Sequence, residues 1–341
     1  MHDARTLWRD LHRDGLVAEA EPPAPPVEAP WPARWLTAVA AWIATPLLLV
    51  FVAMLLSDLA ANEIALVPIG LLMCAAAVPL VRGSAAEFLQ QAGTVISAAG
   101  MIITAYGLDA GLDLSARASA AALAILASAQ YALSRVWVHR FLCAGVLVVA
   151  IVWLAHEFVS GGLWLMQPVV AAAAVVLWLA MLRVDPARLS HSTLSPLAWA
   201  VTVAAIVLSW LDRMWHGSAS EASLQLAQWL AVLLLPVVAF VLVQRADRRP
   251  RDLLLVAVAA ALSALWFTAP GISLALALML LAFALGAPGL AVVGAASLVA
   301  GLVTYYYQLS VPLLQKSLWL GAAGVFLVVV HVLLRRAGER P

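Results

Sequence analysis

The chain has 341 residues, of which 65% are hydrophobic and 11% are charged, and its formal net charge is +1. A soluble domain carries about 25% charged and roughly 45–50% apolar residues, so this chain has too little polar surface to be a water-soluble globule. The near-zero net charge gives no indication of nucleic-acid binding, and the composition predicts an all-α, polytopic transmembrane helix bundle.

Residues 1–34 differ from the rest of the chain because they are charged and rich in proline. Residues 1–17 are predicted to form a short amphipathic cytoplasmic helix, and residues 18–34 a proline-rich linker. They contain no apolar core followed by small residues, so we expect no cleavable signal peptide. The leading helix is either a surface tail or a docking helix for a partner or for the bilayer face.

Apolar runs follow one another through residues 35–334 and predict a transmembrane helical domain of about twelve spans. One crossing needs about 20 residues, and helices are favoured because every backbone polar group in lipid must be bonded internally. The predicted segments are 35–57, 63–81, 88–108, 117–134, 141–159, 163–182, 195–211, 224–243, 252–268, 271–286, 288–304 and 312–334.

The tenth and eleventh segments are ambiguous because each has about 16 residues, or roughly 24 Å of helix. They are joined by the uncharged sequence GAPG at residues 286–289. They are either two short crossings or one re-entrant hairpin, which gives twelve or ten spans. Both interpretations leave the following loop on the same side of the membrane.

The distribution of basic residues predicts the orientation. With the N-terminus inside, all Lys and Arg residues fall on the cytoplasmic side except Arg117, Arg213 and Lys316. Cytoplasmic loops carry the excess of these residues, so we expect an inner-membrane protein with both termini, including the basic tail 335–341, in the cytoplasm. The sequence QRADRRPRD at 244–252 is the strongest anchor, and a site for anionic lipid headgroups is its alternative role.

Small residues on the third and fourth segments indicate helix packing rather than a pore lining. Gly93 and Ser97 lie four residues apart on the third segment. Small residues recur every fourth position on the fourth segment, and such rows let helix backbones approach closely in lipid. The row on the fourth segment consists of Ala116, Ala120, Ala124, Ser128 and Ala132.

Ionisable residues within spans are the first candidates for a functional site because they are costly in hydrocarbon. His156 and Glu157 lie at the outer end of the fifth segment, and Asp212 and Arg213 at the outer end of the seventh. They are either interfacial anchors or parts of one polar site on the outer side. Gln90 and Gln91 open the third segment and are expected to bond neighbouring helices.

Lys316 is the only lysine and lies in TYYYQLSVPLLQKSLWLGAAG, residues 304–324. Ser310 can cap a helix and Pro312 suits its first turn, so the last span is predicted to begin near Val311. Lys316 then lies about one turn into this span, and its long stem lets the ammonium group reach the outer interface.

Three tyrosines and a glutamine precede this helix start. Tyr305, Tyr306, Tyr307 and Gln308 are expected to end the previous helix at the level of the outer interface. The segment is either an interfacial anchor or a polar site. In the second case Lys316, the tyrosines and Gln308 meet an acid such as Glu157 or Asp212.

Catalytic motifs are absent from the sequence, which contains no HExxH, GxSxG, GxxxxGK[ST], GxGxxG or paired CxxC pattern. Cys74 and Cys143 each lie deep in an apolar run, which argues against a disulfide framework and a thiol metal site. We therefore expect no cofactor and no metal, and the sequence favours a non-enzymatic role without excluding an enzyme.

Several sequences resemble one known family. YYYQLSVPLLQKSLWLGAAG resembles the C-terminal signature of an uncharacterised bacterial membrane family, domain of unknown function 4401, with a Tyr-Tyr-x-Leu turn and a Leu-Leu-x-Lys-Ser/Gly helix start. RWLTAVAAWIATPLLLVF is similar to its first span, RGSAAEFLQQAGTVISAAG to the entry into its third, and LWRDLHRDGLV to its leading helix. The resemblance implies a multi-span inner-membrane protein, associated with a second small membrane protein that bears a Gly-Asp-Tyr-x-x-Leu-x-Tyr motif.

The sequence therefore predicts a non-enzymatic subunit or scaffold of a cell-envelope membrane complex, with the lipid bilayer and that small protein as partners. The alternative is a secondary transporter of a small solute, with a polar site near the outer face. A membrane-embedded transferase is the third interpretation, and short loops argue against it because they leave little chain outside the bilayer.

Reporter fusions test the predicted orientation. A fusion after Asp109 should report an outer location and a fusion after Arg249 a cytoplasmic one, because the positive-inside rule places the Arg-rich loops in the cytoplasm. Alkaline phosphatase and green fluorescent protein fusions measure the two sides. The reverse pattern would contradict the orientation.

Overall fold

The computed structural model describes residues 12–13, 30–55, 63–83, 86–158, 162–182, 193–211, 221–245, 250–265 and 269–308, with isolated residues between 314 and 329. Every secondary-structure element within these ranges is helical, which confirms the all-α prediction. Of the predicted leading helix only His12 and Arg13 are described, and both are helical. The rest of that helix, the linker up to residue 29 and the basic tail lie outside the described residues.

Eleven helices coincide with the first eleven predicted segments, and the described residues of the twelfth are helical as well. A π-helical turn, Gly107–Gly111, extends the third helix. The helices are α1 Trp31–Leu55, α2 Glu63–Gly83, α3 Glu87–Tyr106, α4 Ala116–Leu133, α5 Trp137–Phe158, α6 Gly162–Met181, α7 Leu194–Leu211, α8 Glu221–Arg245, α9 Pro250–Leu265, α10 Pro270–Leu285 and α11 Pro288–Gln308.

Length and hydropathy indicate a membrane protein. Six helices in the described ranges are long and apolar enough to cross a bilayer, namely α1, α2, α3 with its π-helical turn, α5, α8 and α11. Shorter apolar helices are found in α6, α7, α9 and α10. The count of about twelve crossings and their direction stay predictions, because a helix that packs inside a bundle can be shorter than the bilayer is thick.

The predicted length of the eleventh segment is wrong. Helix α11 has 21 residues and continues through the tyrosines to Gln308, whereas α10 has the expected 16. No proline lies between Pro288 and Pro312 to end the helix earlier. The two helices are joined at Gly286, whose φ of 61° is left-handed and suits glycine. Helix α11 is long enough to cross a bilayer, and the choice between two crossings and a re-entrant hairpin stays a prediction.

Helices α2 and α3 are held together by a seam of small residues. A Cβ atom on Gly70 would clash with Thr104 Oγ1, and one on Gly100 would lie 2.7 Å from the Gly70 carbonyl oxygen. The two backbones are thus in direct contact, as small-residue interfaces in lipid allow. On both helices the row alternates steps of four and three residues, which keeps it on one helix face. The rows are Gly70, Cys74, Ala77 and Val81 on α2, and Gly93, Ser97, Gly100 and Thr104 on α3.

The predicted four-residue row on α4 is wrong for the second half of that helix. Ala120 is buried, but Ser128 and Ala132 are exposed. Four residues turn a helix by about 400°, so a strict four-residue row rotates about 40° further off the contact face at each step. The buried face instead continues from Ala120 to Ala127, about two turns on, and then to Gln130 one turn further.

The helices form two packed groups. In the first, α2 to α5 enclose a small core of Cys74, Met101, Ala127 and Cys143, and α1 packs against α3. In the second, α10 is central and packs against α6, α7, α8 and α11. Helix α5 joins the groups by packing against α7.

Two matched glycine substitutions test the seam. Gly100→Ala should lower the free energy of unfolding by about 1–3 kcal/mol, because the added methyl group meets the α2 backbone and the seam cannot close. Gly145→Ala is the control, since a Cβ there meets nothing within 4 Å. It should be neutral or stabilising by up to about 1 kcal/mol. Thermal unfolding of both variants in the same lipid–detergent mixture measures the difference, and equal midpoints would contradict the seam.

Candidate functional site

The predicted outer polar site draws its residues from α5, from α11 and from segments that the structure does not describe. His156 and Glu157 lie in the last turn of α5. Lys316, Asp212 and Arg213 lie outside the described residues. A meeting of these groups at one site therefore stays a prediction.

The tyrosines lie in the last turn of α11, and Gln308 is the last residue of that helix. The rings of Tyr306 and Tyr307 meet edge to face, with centroids 5.7 Å apart and planes at 88°. Tyr307 is 78% exposed, while Tyr305 and Tyr306 are half-buried. Exposed tyrosine at a helix end suits an aromatic belt at the membrane interface, so Tyr307 fits the anchor interpretation.

Arg117 lies next to Glu157, a contact that sequence reasoning missed. Its Nη2 atom donates to the Glu157 carbonyl oxygen at 2.8 Å, and its guanidinium lies 4.8 Å from the centroid of the Phe158 ring. The last carbonyl groups of a helix lack partners within the helix, and a cation there also complements the helix dipole. Arg117 thus ties the start of α4 to the end of α5. The sequence does not show that α4 packs against α5, so this contact could not be predicted from it.

A hydrogen bond between side chains attaches α1 to α3. Trp42 Nε1 donates to Gln91 Oε1 at 3.0 Å. This contact confirms the expectation that Gln91 bonds a neighbouring helix. Gln91 is buried and Trp42 is 40% exposed, so the bond lies at the edge of the bundle.

A second polar contact lies in the interior, where α2, α3 and α4 meet at Cys74. Gln130 Nε2 donates to the Cys74 carbonyl oxygen at 3.0 Å, and Cys74 Sγ lies 3.6 Å from the Ser97 carbonyl oxygen. We call Cys74, Ser97 and Gln130 the Cys74 node. Within the described chain, Gln130 Oε1 and Ser97 Oγ are buried without a hydrogen-bond partner. Each such atom costs about 1–3 kcal/mol. Among the described residues Ser119 Oγ, His139 Nδ1 and Gln167 Nε2 are also buried without a partner.

His139 is the only buried ionisable side chain among the Asp, Glu, Lys, Arg and His residues that the structure describes. It is 2% exposed, and its Nδ1 atom has no hydrogen-bond partner in the described ranges. It precedes Cys143 by one turn of α5. His139 lies four residues before Cys143 and therefore on the same face of α5. This spacing is the sequence signal that could have identified His139 as buried.

The interior groups are amide, hydroxyl, imidazole and thiol groups, and both cysteines are unpaired thiols. In the part of the chain that the structure describes, no group of three His, Cys, Asp or Glu side chains could hold a metal ion together. The arrangement can bond helices to one another or accept a small hydrogen-bond donor at Gln130 Oε1.

Comparison with known proteins gives one match. A family model described as domain of unknown function (DUF4401) matches residues 30–337, which is most of the chain. No curated protein and no solved structure matches the chain.

Two leucine substitutions test whether Gln130 Oε1 in the Cys74 node lacks a hydrogen-bond partner. Gln130→Leu should leave the unfolding midpoint unchanged or raise it, because it removes one hydrogen bond together with one buried unpartnered oxygen. Gln91→Leu should lower stability by about 1 kcal/mol, because the Trp42 indole loses its acceptor. Thermal unfolding in detergent compares the two. A larger loss for Gln130→Leu would show that Oε1 has a partner that the described chain does not supply.

Proposed function

Because the chain belongs to the family described as domain of unknown function 4401, whose model covers residues 30–337, we propose that it is a non-enzymatic subunit of a cell-envelope membrane complex. It spans the bacterial inner membrane about twelve times with both termini in the cytoplasm. The observation that carries this proposal is an exposed row of small residues on α1.

The row on α1 has the spacing of the buried seams on α2 and α3. Ala33, Thr37, Ala40 and Ala44 follow one another in steps of four, three and four residues. The three alanines are exposed and Thr37 is half-buried. On α2 and α3 the same spacing brings two backbones into contact, so the row on α1 has the form of a helix-packing surface without a described helix against it.

The contact of α1 with the bundle leaves this row accessible. Helix α1 packs against α3, and its only buried residues within the described ranges are Ala41 and Thr45. At about 100° per residue, Ala40 and Ala44 lie to one side of that buried strip. A second helix could therefore dock beside α3 without displacing it.

Lipid is a poor partner for such a row. Acyl chains cover large apolar side chains as well as another protein does, so burial in lipid does not favour small residues on an exposed face. A helix backbone gains dispersion contacts from close approach to alanine that mobile chains do not supply. The row therefore suits a membrane-spanning helix as its partner. We assign this helix to a second polypeptide, and the small membrane protein implied by the family resemblance suits this role.

The arginine contacts support the proposed alternation of the spans. Arg82 and Arg140 bond main-chain carbonyl groups at the end of the bundle where α4 ends and α5 begins. Arg117 bonds at the opposite end of the same two helices. Basic residues concentrated at one end agree with the orientation that places that end in the cytoplasm.

A secondary transporter is the alternative, and the Cys74 node is the observation that favours it. A buried polar atom without a partner calls for an explanation, and a solute that bonds it in transit is one. In this interpretation Ser97 Oγ and Gln130 Oε1 face a passing solute instead of a fixed neighbour.

Bulky substitutions on α1 test the subunit proposal. Purified in mild detergent, the wild-type chain should carry one second polypeptide in a fixed ratio. The double variant Ala40→Leu/Ala44→Leu should lose it, because leucine keeps α1 apolar but blocks close backbone approach. Ile43→Leu, at a position 58% exposed, is the control and should retain the partner. Native mass spectrometry measures the ratio.

Two outcomes would contradict the proposal. Retention of the partner by the double variant would show that the α1 row is not the docking surface. A wild-type chain that purifies alone, and that moves a solute when reconstituted in liposomes, would favour the transporter.

A further inference from the structure

Three arginines surround the turn that joins α4 to α5. Arg82, at the end of α2, donates through Nε to the carbonyl oxygen of Leu133. Arg140, in the first turn of α5, donates through Nε to the carbonyl oxygen of Ser134 at 2.7 Å. Arg135 lies in the turn itself and is exposed. Two guanidinium groups are thus fixed on consecutive carbonyl groups, with a third cation beside them.

The hydrogen bonds fix these groups without exhausting their donors. A guanidinium has five N–H donors, and the described bonds of Arg82 and Arg140 each use the one on Nε. Arg82 is exposed, and Arg140 is half-buried with its Cζ atom 5.5 Å from the centroid of the Tyr131 ring. The groups are oriented before any ligand arrives, which lowers the entropy lost on binding.

Aromatic side chains place this end of the bundle at the membrane interface. Tyr131 donates its hydroxyl to the Thr193 carbonyl oxygen, and Trp137 Nε1 donates to Ser195 Oγ at 3.4 Å. The Trp137 ring stacks on Phe141 with centroids 5.5 Å apart. Tryptophan and tyrosine with apolar bodies and bonded polar tips are typical of the headgroup level.

We propose that Arg82, Arg135 and Arg140 form a binding site for the phosphate of an anionic phospholipid headgroup. Guanidinium groups bind phosphate oxygens through paired, charge-assisted hydrogen bonds. Three neighbouring cations repel one another, and a bound anion relieves that repulsion. Basic pockets between spanning helices on the cytoplasmic side bind such headgroups in other membrane proteins.

The surroundings favour a lipid over a free phosphate ion. Leu133 is 41% exposed, and Phe88 and Leu89 at the start of α3 are 39% and 43% exposed at the same end of the bundle. Acyl chains can cover these side chains while the phosphate contacts the arginines. Capping of α4 accounts for the main-chain bonds of Arg82 and Arg140, but it gives Arg135 no role.

Arg117 provides a matched comparison at the other end of α4. It also bonds a main-chain carbonyl group at a helix end and lies over an aromatic ring. It differs in belonging to no described cluster of three arginines. If any interfacial arginine contributes to lipid binding, substitution of Arg117 will also lower lipid affinity. If the cluster is a specific site, substitution of Arg117 will leave lipid affinity unchanged.

Lipid titration of the purified full-length chain tests the site by native mass spectrometry. Phosphatidylglycerol should bind more tightly than phosphatidylcholine. Arg135→Gln, which leaves both capping bonds in place, should weaken phosphatidylglycerol binding about fivefold, and Arg82→Gln/Arg135→Gln roughly 20–30-fold. Arg135→Lys should restore most of the affinity, since it restores the charge. Arg117→Gln should bind as the wild type does.

Three results would overturn the inference. Equal affinity for the two lipids would exclude a charge-selective headgroup site. Wild-type binding by Arg135→Gln would exclude the arginine cluster, and this variant decides the matter even if the double variant does not fold. Inorganic phosphate is titrated alone and against bound phosphatidylglycerol. If phosphate displaces the lipid at the same concentration at which phosphate binds on its own, the site belongs to free phosphate instead.

Discussion

Close approach of helix backbones is the constraint on which the rest of this structure depends. Lipid chains are as apolar as the helices, so the hydrophobic effect does not drive one helix onto another, and contact depends on packing and hydrogen bonds. Gly70 and Gly100 bring α2 and α3 into direct backbone contact. Helix α3 of that pair also packs against α1 and α4, and α4 packs in turn against α5. Steps of four and three residues place the contact residues of α2 and of α3 on one face of each helix.

The lipid bilayer also determines where polar side chains lie in this structure. Arg82, Arg117 and Arg140 bond main-chain carbonyl groups at helix ends, where orphan acceptors and headgroup water coincide. Deeper in the bundle, Trp178 Nε1 donates to Thr202 Oγ1 at 2.8 Å, which satisfies both groups. Five buried side chains in the described ranges depart from this rule, namely Ser97, Ser119, Gln130, His139 and Gln167. Two of them belong to the Cys74 node, which supports the alternative transport role.

Helix positions could be predicted from the sequence because long apolar runs separated by charges leave few alternatives in a bilayer. The apolar run alone set the end of the eleventh segment at residue 304, which is too early. The tyrosines, which were expected to end this helix, form its last turn up to Gln308. The partner of Gln130 could not be predicted, because a lone glutamine does not say which neighbouring carbonyl group it meets. The row on α4 failed at Ser128 and Ala132 because spacing alone does not fix a contact face. The outer site around Lys316 stays a prediction.

The exposed row on α1 connects the packing rule to the proposed role, because a surface built like the α2–α3 seam is expected to have a helix against it. The most direct measurement is the mass of the wild-type particle taken from its own membrane in polymer nanodiscs without detergent. The account predicts a protein mass above that of the 36.0 kDa chain, with a second polypeptide in a fixed ratio. A particle that contains only this chain and lipid would contradict it.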